Sequence, residues 1–350
     1  MTTTALPVPA VAAPVTVPSG GVPAGVPVGV PGPVGAHDRG RGLRAGLSTL
    51  HAAALAALCV VNGVPTDRLS VLLWVLAGLA CRCAGRGWRS GVRLLADWVP
   101  LGAVLLLYDA SRGIANTLGA PVHVTEPAAA DAWLFGAVPT VWLQHHLVAP
   151  GWLTVLVTLV YSSHFVVTPV VLAVLWVRDR ARWGRIARLV VALSLAGLAT
   201  YVLYPAAPPW LAAREGVVGE VHRLSGDGWA VLGLPRAGAL LHAGQGQVNP
   251  VAAVPSLHTA FAVLVCLFAL RVVRRRWQRA LLVAYAVAMP LALVWSGEHY
   301  VVDTVLGAVY AAVFCRVAPR AERVARRLRR RLRRRLSGHG ASVTSTTLRG

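Results

Sequence analysis

The sequence predicts an all-α fold, a polytopic bundle of transmembrane helices with about eight spans. Hydrophobic residues make up 56% of the 350-residue chain and charged residues only 13%, and the mean hydropathy is +0.61. Apolar blocks close to the thickness of a bilayer recur along the chain, and arginines separate them. The blocks are residues 44–62, 69–82, 92–110, 151–177, 186–204, 257–271, 280–296 and 300–318.

The blocks divide into two N-terminal spans and a six-helix core that carries the motifs described below. Residues 1–42 form a tail rich in proline, glycine, valine and alanine, which we expect to be disordered because this composition cannot bury a core. The N-terminal spans fall within residues 43–91, the core within 92–318 and an arginine-rich tail within 319–350. The block at 69–82 is short, so a re-entrant segment and a total of six to seven spans stay open.

Arginine placement predicts the orientation in the membrane, because cytoplasmic loops collect basic residues. With eight spans, all but five of the 34 basic residues, which are all arginine, fall in the two tails or in alternate loops. The exceptions are Arg68, Arg112, Arg214, Arg223 and Arg236. We therefore expect a multi-pass protein of the cell membrane, with both termini in the cytoplasm and the loops 111–150 and 205–256 outside.

Two short motifs place ionisable residues at the outer ends of neighbouring spans. One is Pro-Ser-Leu-His at 255–258, and the other is Glu-His-Tyr-Val-Val-Asp at 298–303. Ionisable groups at such positions are costly in lipid. The two motifs therefore indicate a functional site on the outer side of the membrane.

The spacing of His299 and Asp303 is typical of an oriented nucleophile. Four residues apart at the start of a helix, the side chains share one face, where the carboxylate fixes the imidazole tautomer and stabilises the cation formed on attack. His258 can protonate a leaving alkoxide. Backbone N–H groups at the start of its helix and the Ser256 hydroxyl can bind a phosphoryl oxygen. The set suits phosphoryl transfer through a phosphohistidine.

These motifs resemble the second and third signatures of the type 2 phosphatidic acid phosphatase superfamily. The wider string Asn-Pro-Val-Ala-Ala-Val-Pro-Ser-Leu-His at 249–258 and the string Tyr-Pro-Ala-Ala-Pro-Pro-Trp at 204–210 are similar to the branch of inositol phosphorylceramide synthases and related inositol phosphotransferases. The resemblance covers about residues 151–318. It implies a membrane enzyme acting on a phospholipid or lipid phosphate, in which His299 is the nucleophile, Asp303 supports it and His258 assists the leaving group.

The chain departs from the phosphatases of this superfamily where they bind phosphate. Those enzymes use a lysine and an arginine in the first signature and an arginine six residues before the nucleophile. This chain has no lysine, and Leu293 occupies the last of these positions. The departure favours a transferase over a plain lipid phosphate phosphohydrolase, although the resemblance is compatible with either.

Arg112 is the first candidate for the counter-charge of the phosphate, because it ends an apolar span on the outer side. Arg214, Arg223 and Arg236, in the loop before the second signature, are the alternatives. An ion pair with Asp109 is an equally good interpretation of Arg112.

Ser256, His164 and Tyr204 are the other predicted substrate contacts. His164 falls within a long apolar span, where it either hydrogen-bonds a neighbouring helix or joins the site. Tyr204 begins the string that replaces the first signature, and the resemblance assigns it to substrate binding.

The predicted partners are a lipid substrate and the bilayer, without a metal or cofactor. No carboxylate-rich or Cys/His cluster is visible in the sequence, and the five cysteines show no disulfide framework. The C-terminal tail sets Val324, Leu328, Leu332 and Leu336 four apart among arginines, a pattern typical of a helix on anionic inner-leaflet lipids or of a simple topology anchor. The dispersed arginines argue against nucleic-acid binding.

Two functions of other classes are rival hypotheses. A membrane haem protein would use two facing histidines within the bilayer as axial ligands, whereas His258 and His299 fall at span ends. A transporter with a His/Asp proton relay would show paired broken helices in an inverted repeat, and the sequence shows none. We therefore prefer a lipid phosphotransferase or phosphatase to both rivals. The sequence carries no prediction of the oligomeric state.

Overall fold

The computed structural model describes residues 34–63, 65, 67–115, 120–147, 149–246 and 249–343. Within these residues the secondary structure is helical, which confirms the predicted all-α fold. The helices are α1 (Val34–Asn62), α2 (Arg68–Cys83), α3 (Trp88–Ala115), α4 (Thr125–Phe135), α5 (Pro139–His146), α6 (Gly151–Arg178), α7 (Arg180–Leu203), α8 (Pro209–Arg214), α9 (Gly228–Val231), α10 (Pro235–Gly246), α11 (Leu257–Ala269), α12 (Arg276–Trp295) and α13 (Val301–Val343).

Eight of these helices correspond to the eight apolar blocks, and six of the eight are long and apolar enough to cross a membrane. The two shorter ones are Leu69–Cys83 and Leu257–Ala269. The block at 257–271 was predicted to be a full span, but α11 has 13 residues. That length is about 20 Å of helix, less than the ~30 Å of a hydrocarbon core. The helix is short because Ser256 caps its start and the chain turns at Leu270.

The first helix begins earlier than the sequence predicted. Residues 34–42 were assigned to the N-terminal tail, whereas α1 is helical from Val34. No proline occurs between residues 34 and 62, so each added residue gains a backbone hydrogen bond and the helix extends beyond the apolar block. The rest of the predicted tail, residues 1–33, lies outside the described residues.

The core lies where α7, α11 and α13 meet. Ile186, Leu193 and Leu264 are fully buried there. Gly307 of α13 lies against the backbone of Ser256, since a Cβ at Gly307 would be 2.2 Å from the Ser256 carbonyl oxygen. Glycine at this position therefore allows the starts of α11 and α13 to pack directly against each other.

The two long loops lie at the end of the bundle where α11 and α13 begin. The N–H of His123 donates to the carbonyl of Pro205 at 2.8 Å, which joins the two loops. Gln144 of α5 donates to the carbonyl of Trp295, at the end of α12, also at 2.8 Å. The short helices α4, α5, α8, α9 and α10 thus lie at one end of the bundle. We call them the outer cap, after the side of the membrane on which the sequence predicts these loops.

The opposite end of the bundle carries the C-terminal tail. Helix α13 continues to Val343, and Glu322 on it pairs with Arg188 of α7 at 2.6 Å. Val324 and Leu328 are exposed, while the side chains of Leu332 and Leu336 lie outside the described residues. Binding of this tail to anionic lipids stays a prediction.

Candidate active site

His299 and Asp303 lie together at the start of α13. His299 precedes the helix and Asp303 is in its first turn. The Nδ1 atom of His299 is 3.5 Å from Oδ2 of Asp303, and both residues are buried, at 6% and 0% exposure. Because Nδ1 faces the carboxylate, Nε2 is the nitrogen that can react with a substrate.

Two carboxylates satisfy the backbone N–H groups at the start of α13. Asp303 Oδ2 accepts from the N–H of Tyr300 at 3.0 Å, while Asp131 of α4 accepts from Val301 at 2.8 Å and from Val302 at 3.0 Å. Burial raises the pKa of Asp131; the two N–H bonds oppose this rise and the charge of Asp303 adds to it. Asp131 thus attaches the outer cap to the helix that follows His299.

Ser256 fixes the start of the helix that carries His258. Its hydroxyl oxygen accepts from the N–H of Thr259 at 3.4 Å, and its own N–H donates to the carbonyl of Asp303 at 3.0 Å. Ser256 is fully buried. The hydroxyl therefore caps α11 in this structure, and the predicted contact between Ser256 and a phosphoryl oxygen stays a prediction.

Three histidine rings form a row across the bundle. His258 lies between His164 of α6, at 4.1 Å between ring centroids, and His299, at 5.8 Å. Tyr161 stacks on His258 at 5.0 Å. The row therefore joins α6 to the starts of α11 and α13. The structure thus brings together three of the predicted site residues, which we call the histidine row.

An ion pair flanks the row beside His299. The carboxylate of Glu298 accepts hydrogen bonds from Arg223 Nε at 2.8 Å and Nη2 at 2.9 Å, and from the Ser225 hydroxyl at 2.6 Å. The guanidinium lies 4.8 Å from the ring of Trp210. Burial lowers the pKa of Arg223, but its hydrogen bond to Glu298 and the charge of Glu298 outweigh that effect, so the pKa is raised overall. This bidentate pair attaches the 205–256 loop to the residue that precedes His299.

Leu293, at the position where phosphatases of the superfamily carry arginine, belongs to the apolar core. It is fully buried in a cluster with Tyr161 and Met289. Its carbonyl accepts from the N–H of Glu298 at 3.0 Å and of His299 at 3.3 Å. Leu293 therefore positions the chain before α13 and supplies no charge to a phosphate.

Tyr204 and Arg112 are the two remaining predicted substrate contacts. Tyr204 follows α7 and stacks on His123 with 3.8 Å between ring centroids, and His123 Nδ1 is 2.8 Å from Glu126 Oε1. Burial raises the pKa of Tyr204. The backbone of Arg112 belongs to α3, but its side chain lies outside the described residues. Substrate binding by Tyr204 and by Arg112 stays a prediction.

Sequence reasoning missed Asp131 and gave Glu298 no role. A signal for Asp131 existed, since it is the single carboxylate in the run Pro-Ala-Ala-Ala-Asp-Ala-Trp-Leu-Phe at 127–135, and such a residue needs a partner. Arg223 was among the outward arginines, but its pairing with Glu298, 75 positions later, has no signal in one sequence.

Comparisons with known proteins show the family to which the chain belongs. The phosphoinositol dihydroceramide synthase of Bacteroides thetaiotaomicron is 28% identical over 142 residues, which are 39% of this chain and 45% of that relative. The chain thus spans about half the length of the curated relative that it matches. No solved structure matches. The profile of the PAP2 superfamily matches residues 127–317, a region that includes the whole histidine row. The name of the Bacteroides relative agrees with the branch that the motifs resemble. The superfamily inferred from the motifs is confirmed: the chain belongs to the PAP2 superfamily, and its long apolar helices are those of a multi-pass membrane protein.

Proposed function

We propose that this enzyme is a lipid phosphotransferase, which moves phosphoinositol from a phospholipid to the hydroxyl group of a second lipid through a phosphohistidine. The histidine row, with Asp303 beside His299, is the observation that carries the proposal. The name of the Bacteroides relative supports phosphoinositol as the transferred group. The buried Leu293 supports a transferase, because the arginine of the phosphatases is absent from that position.

In the first step, Nε2 of His299 attacks phosphorus and the bond from phosphorus to the oxygen of the donor lipid breaks. The departing alkoxide takes a proton from His258, and a diacylglycerol leaves if the donor is phosphatidylinositol. Asp303 stabilises the positive charge that develops on the imidazole of His299. The 5.8 Å between the His258 and His299 rings allows one phosphorus centre to lie between them.

In the second step, His258 removes a proton from the hydroxyl group of the acceptor lipid. The acceptor oxygen attacks phosphorus, the P–N bond breaks and His299 is regenerated. If water takes the place of the acceptor, the same cycle releases inositol phosphate. The acceptor alone therefore separates the transferase from the alternative, a lipid phosphate phosphohydrolase.

Arg223 is the candidate for the counter-charge of the phosphate, because it pairs with Glu298, the residue that precedes His299. Glu298 engages Nε and Nη2, so the guanidinium keeps further N–H groups for phosphate oxygens. The backbone N–H groups at the start of α11 are a second source of donors. Arg112, the first candidate from the sequence, stays the alternative.

Trapping the intermediate tests the mechanism. Purified protein is mixed with ³²P-labelled phosphatidylinositol and quenched, and the labelled protein is analysed for a linkage that is stable to alkali and labile to acid. We expect label in the parent and in His145→Ala, an exposed histidine of α5 that serves as the control, and none in His299→Ala. Equal labelling of a well-folded His299→Ala protein would remove His299 as the nucleophile.

Product analysis separates the transferase from the hydrolase. Phosphatidylinositol is incubated with the enzyme in detergent without an acceptor, with a ceramide, or with a diacylglycerol whose acyl chains differ from those of the donor. We expect a new phosphoinositol lipid that depends on the acceptor. Release of inositol phosphate at the same rate in all three mixtures, without a new lipid, would instead identify the hydrolase.

We also propose that the site faces away from the cytoplasm, because the arginines concentrate at the opposite ends of the spans. A reporter that is active only outside the cytoplasm should be active when fused after residue 230 and silent when fused after Arg276. The reverse pattern would contradict this orientation.

A further inference from the structure

A cavity continues from His164 into the apolar interior, on the side of the histidine row away from His299. It encloses about 80 Å³. Its walls come from α2, α3, α6, α7 and α11. The apolar lining includes Leu72, Val75, Leu101, Leu105, Leu172 and Phe261.

The chemistry of the wall favours an apolar occupant. His164, Thr168 and Ser194 are its polar members, apart from the ring nitrogen of Trp98. A buried water needs two to four polar partners, and apolar cavities instead bind apolar groups. Because the walls are membrane-spanning helices or apolar helices packed among them, the apolar groups that reach the cavity are the alkyl chains of lipids.

We propose that this cavity binds an alkyl chain of the substrate lipid, with the end of the chain nearest the head group at His164. The inference rests on the proposed function, which places the reacting phosphorus between His258 and His299. The ring of His164, at the cavity wall, lies 4.1 Å from the ring of His258 between centroids. A lipid held in this way has its chain in the cavity and its phosphorus between His258 and His299. The cavity and the histidine row then form two parts of one substrate site.

Helices α2 and α3 build one side of the cavity, and they lie outside residues 127–317 that match the superfamily. Val71, Leu72 and Val75 of α2 and Leu101 and Leu105 of α3 contribute to the lining. The N-terminal part of the chain therefore contributes one side of the surface that contacts the alkyl chain, and the matched part contributes the other side and the chemistry.

Filling the cavity tests the proposal. Val75→Trp places a large side chain in the cavity, whereas Leu73→Trp, two residues away on an exposed face of α2, is the matched control. Turnover of dioleoyl and dioctanoyl phosphatidylinositol is measured in detergent. For Val75→Trp we expect kcat/KM for the dioleoyl lipid to fall about tenfold relative to the dioctanoyl lipid. Equal ratios in the two variants and the parent would overturn the inference.

Photolabelling provides a test that does not need turnover. The parent protein is placed in phosphatidylcholine vesicles that contain phosphatidylinositol with a diazirine on one acyl chain, and the labelled residues are mapped by mass spectrometry. We expect label on the cavity walls of α2, α3 and α6, in the parent and in His299→Ala. Label confined to exposed residues such as Leu73 and Leu107 would overturn the inference.

The two proposals fail in different ways. Labelled cavity walls in a protein that neither transfers nor hydrolyses phosphoinositol would remove the proposed function and leave the chain-binding site. Phosphoinositol transfer that is independent of chain length, in a protein whose cavity is not labelled, would remove the chain-binding site and leave the function.

Discussion

The two flanks of the histidine row differ in chemistry. Beside His299 the structure places charged groups with defined partners, namely Asp303, Asp131 and the pair of Glu298 with Arg223. Beside His164 it places aromatic rings, with Phe165 at 5.2 Å and Phe261 at 5.7 Å between centroids, and then the apolar cavity. In the proposed function the polar flank carries the reacting phosphate group, and in the proposed chain-binding site the apolar flank carries the hydrocarbon chain.

This difference teaches how one site can handle an amphipathic substrate within a membrane. In the proposed mechanism, fixed groups on the polar flank stabilise the charge that develops in the transition state. Packing against the chain on the apolar flank is the same in the ground state and the transition state, so it affects binding. Changes on the polar flank should therefore affect lipids of every chain length equally.

Asp303→Asn should have the largest effect. An amide at this position cannot stabilise the histidine cation and favours the wrong tautomer, so we expect kcat to fall by roughly 10³–10⁴-fold, by comparison with other carboxylate-oriented histidines. The loss should be equal for dioctanoyl and dioleoyl phosphatidylinositol. A loss below tenfold in a protein with an unchanged circular dichroism spectrum would separate Asp303 from the chemistry.

Arg223→Lys should have the next largest effect. Lysine keeps a positive charge but not the planar fork, so we expect kcat/KM to fall about 10²-fold for both chain lengths. Arg214→Lys, on the exposed side of α8, is the control. If Arg112→Lys loses activity while Arg223→Lys does not, the phosphate is held by the arginine of α3 that the sequence suggested first.

Asp131→Ala should have a moderate effect, mainly on stability. It removes the acceptor for the N–H groups of Val301 and Val302, which costs about 1–2 kcal/mol, the range for a helix N-cap. Thermal unfolding measures this loss, and Asp131→Asn, which keeps one acceptor oxygen, should recover part of it. An Asn variant no more stable than the Ala variant would indicate that the carboxylate charge, and not the hydrogen bonds, holds α4.

Glu322→Gln should have the smallest effect. The pair of Glu322 with Arg188 lies at the other end of the bundle, and Arg188 is 60% exposed. Partly exposed ion pairs contribute about 0–1 kcal/mol, and salt weakens them further. Activity should be unchanged for both chain lengths. A large loss of activity would show that the tail is coupled to the site, and would contradict a polar flank that is confined to the outer end.

The sequence predicted contacts between residues that are close in the chain better than contacts between distant segments. The spacing of four residues predicted His299 beside Asp303, although His299 lies just before α13 and not within it. Hydropathy predicted the apolar blocks. The start of α11 was predicted correctly, whereas its end was placed two residues too late, because hydropathy does not show the turn at Leu270.

Contacts between distant segments lay beyond what one sequence specifies. The meeting of His164 with His258, and of Glu298 with Arg223, depends on which faces of packed helices and loops meet. Composition limits which faces can meet but does not determine which of them do. Asp131 stood out as a carboxylate in an apolar run, which indicated that it needed a partner without showing which one.

The contact of Asp131 with α13 has a consequence for the biogenesis of the protein. Asp131 precedes Val301 by 170 positions, so α4 emerges from the ribosome long before its partner does. During this interval the carboxylate stays hydrated outside the bundle, because burial without the two N–H groups would be costly. Insertion of the last span therefore completes the outer cap, and we expect a nascent chain released before Val301 to expose α4 to proteases.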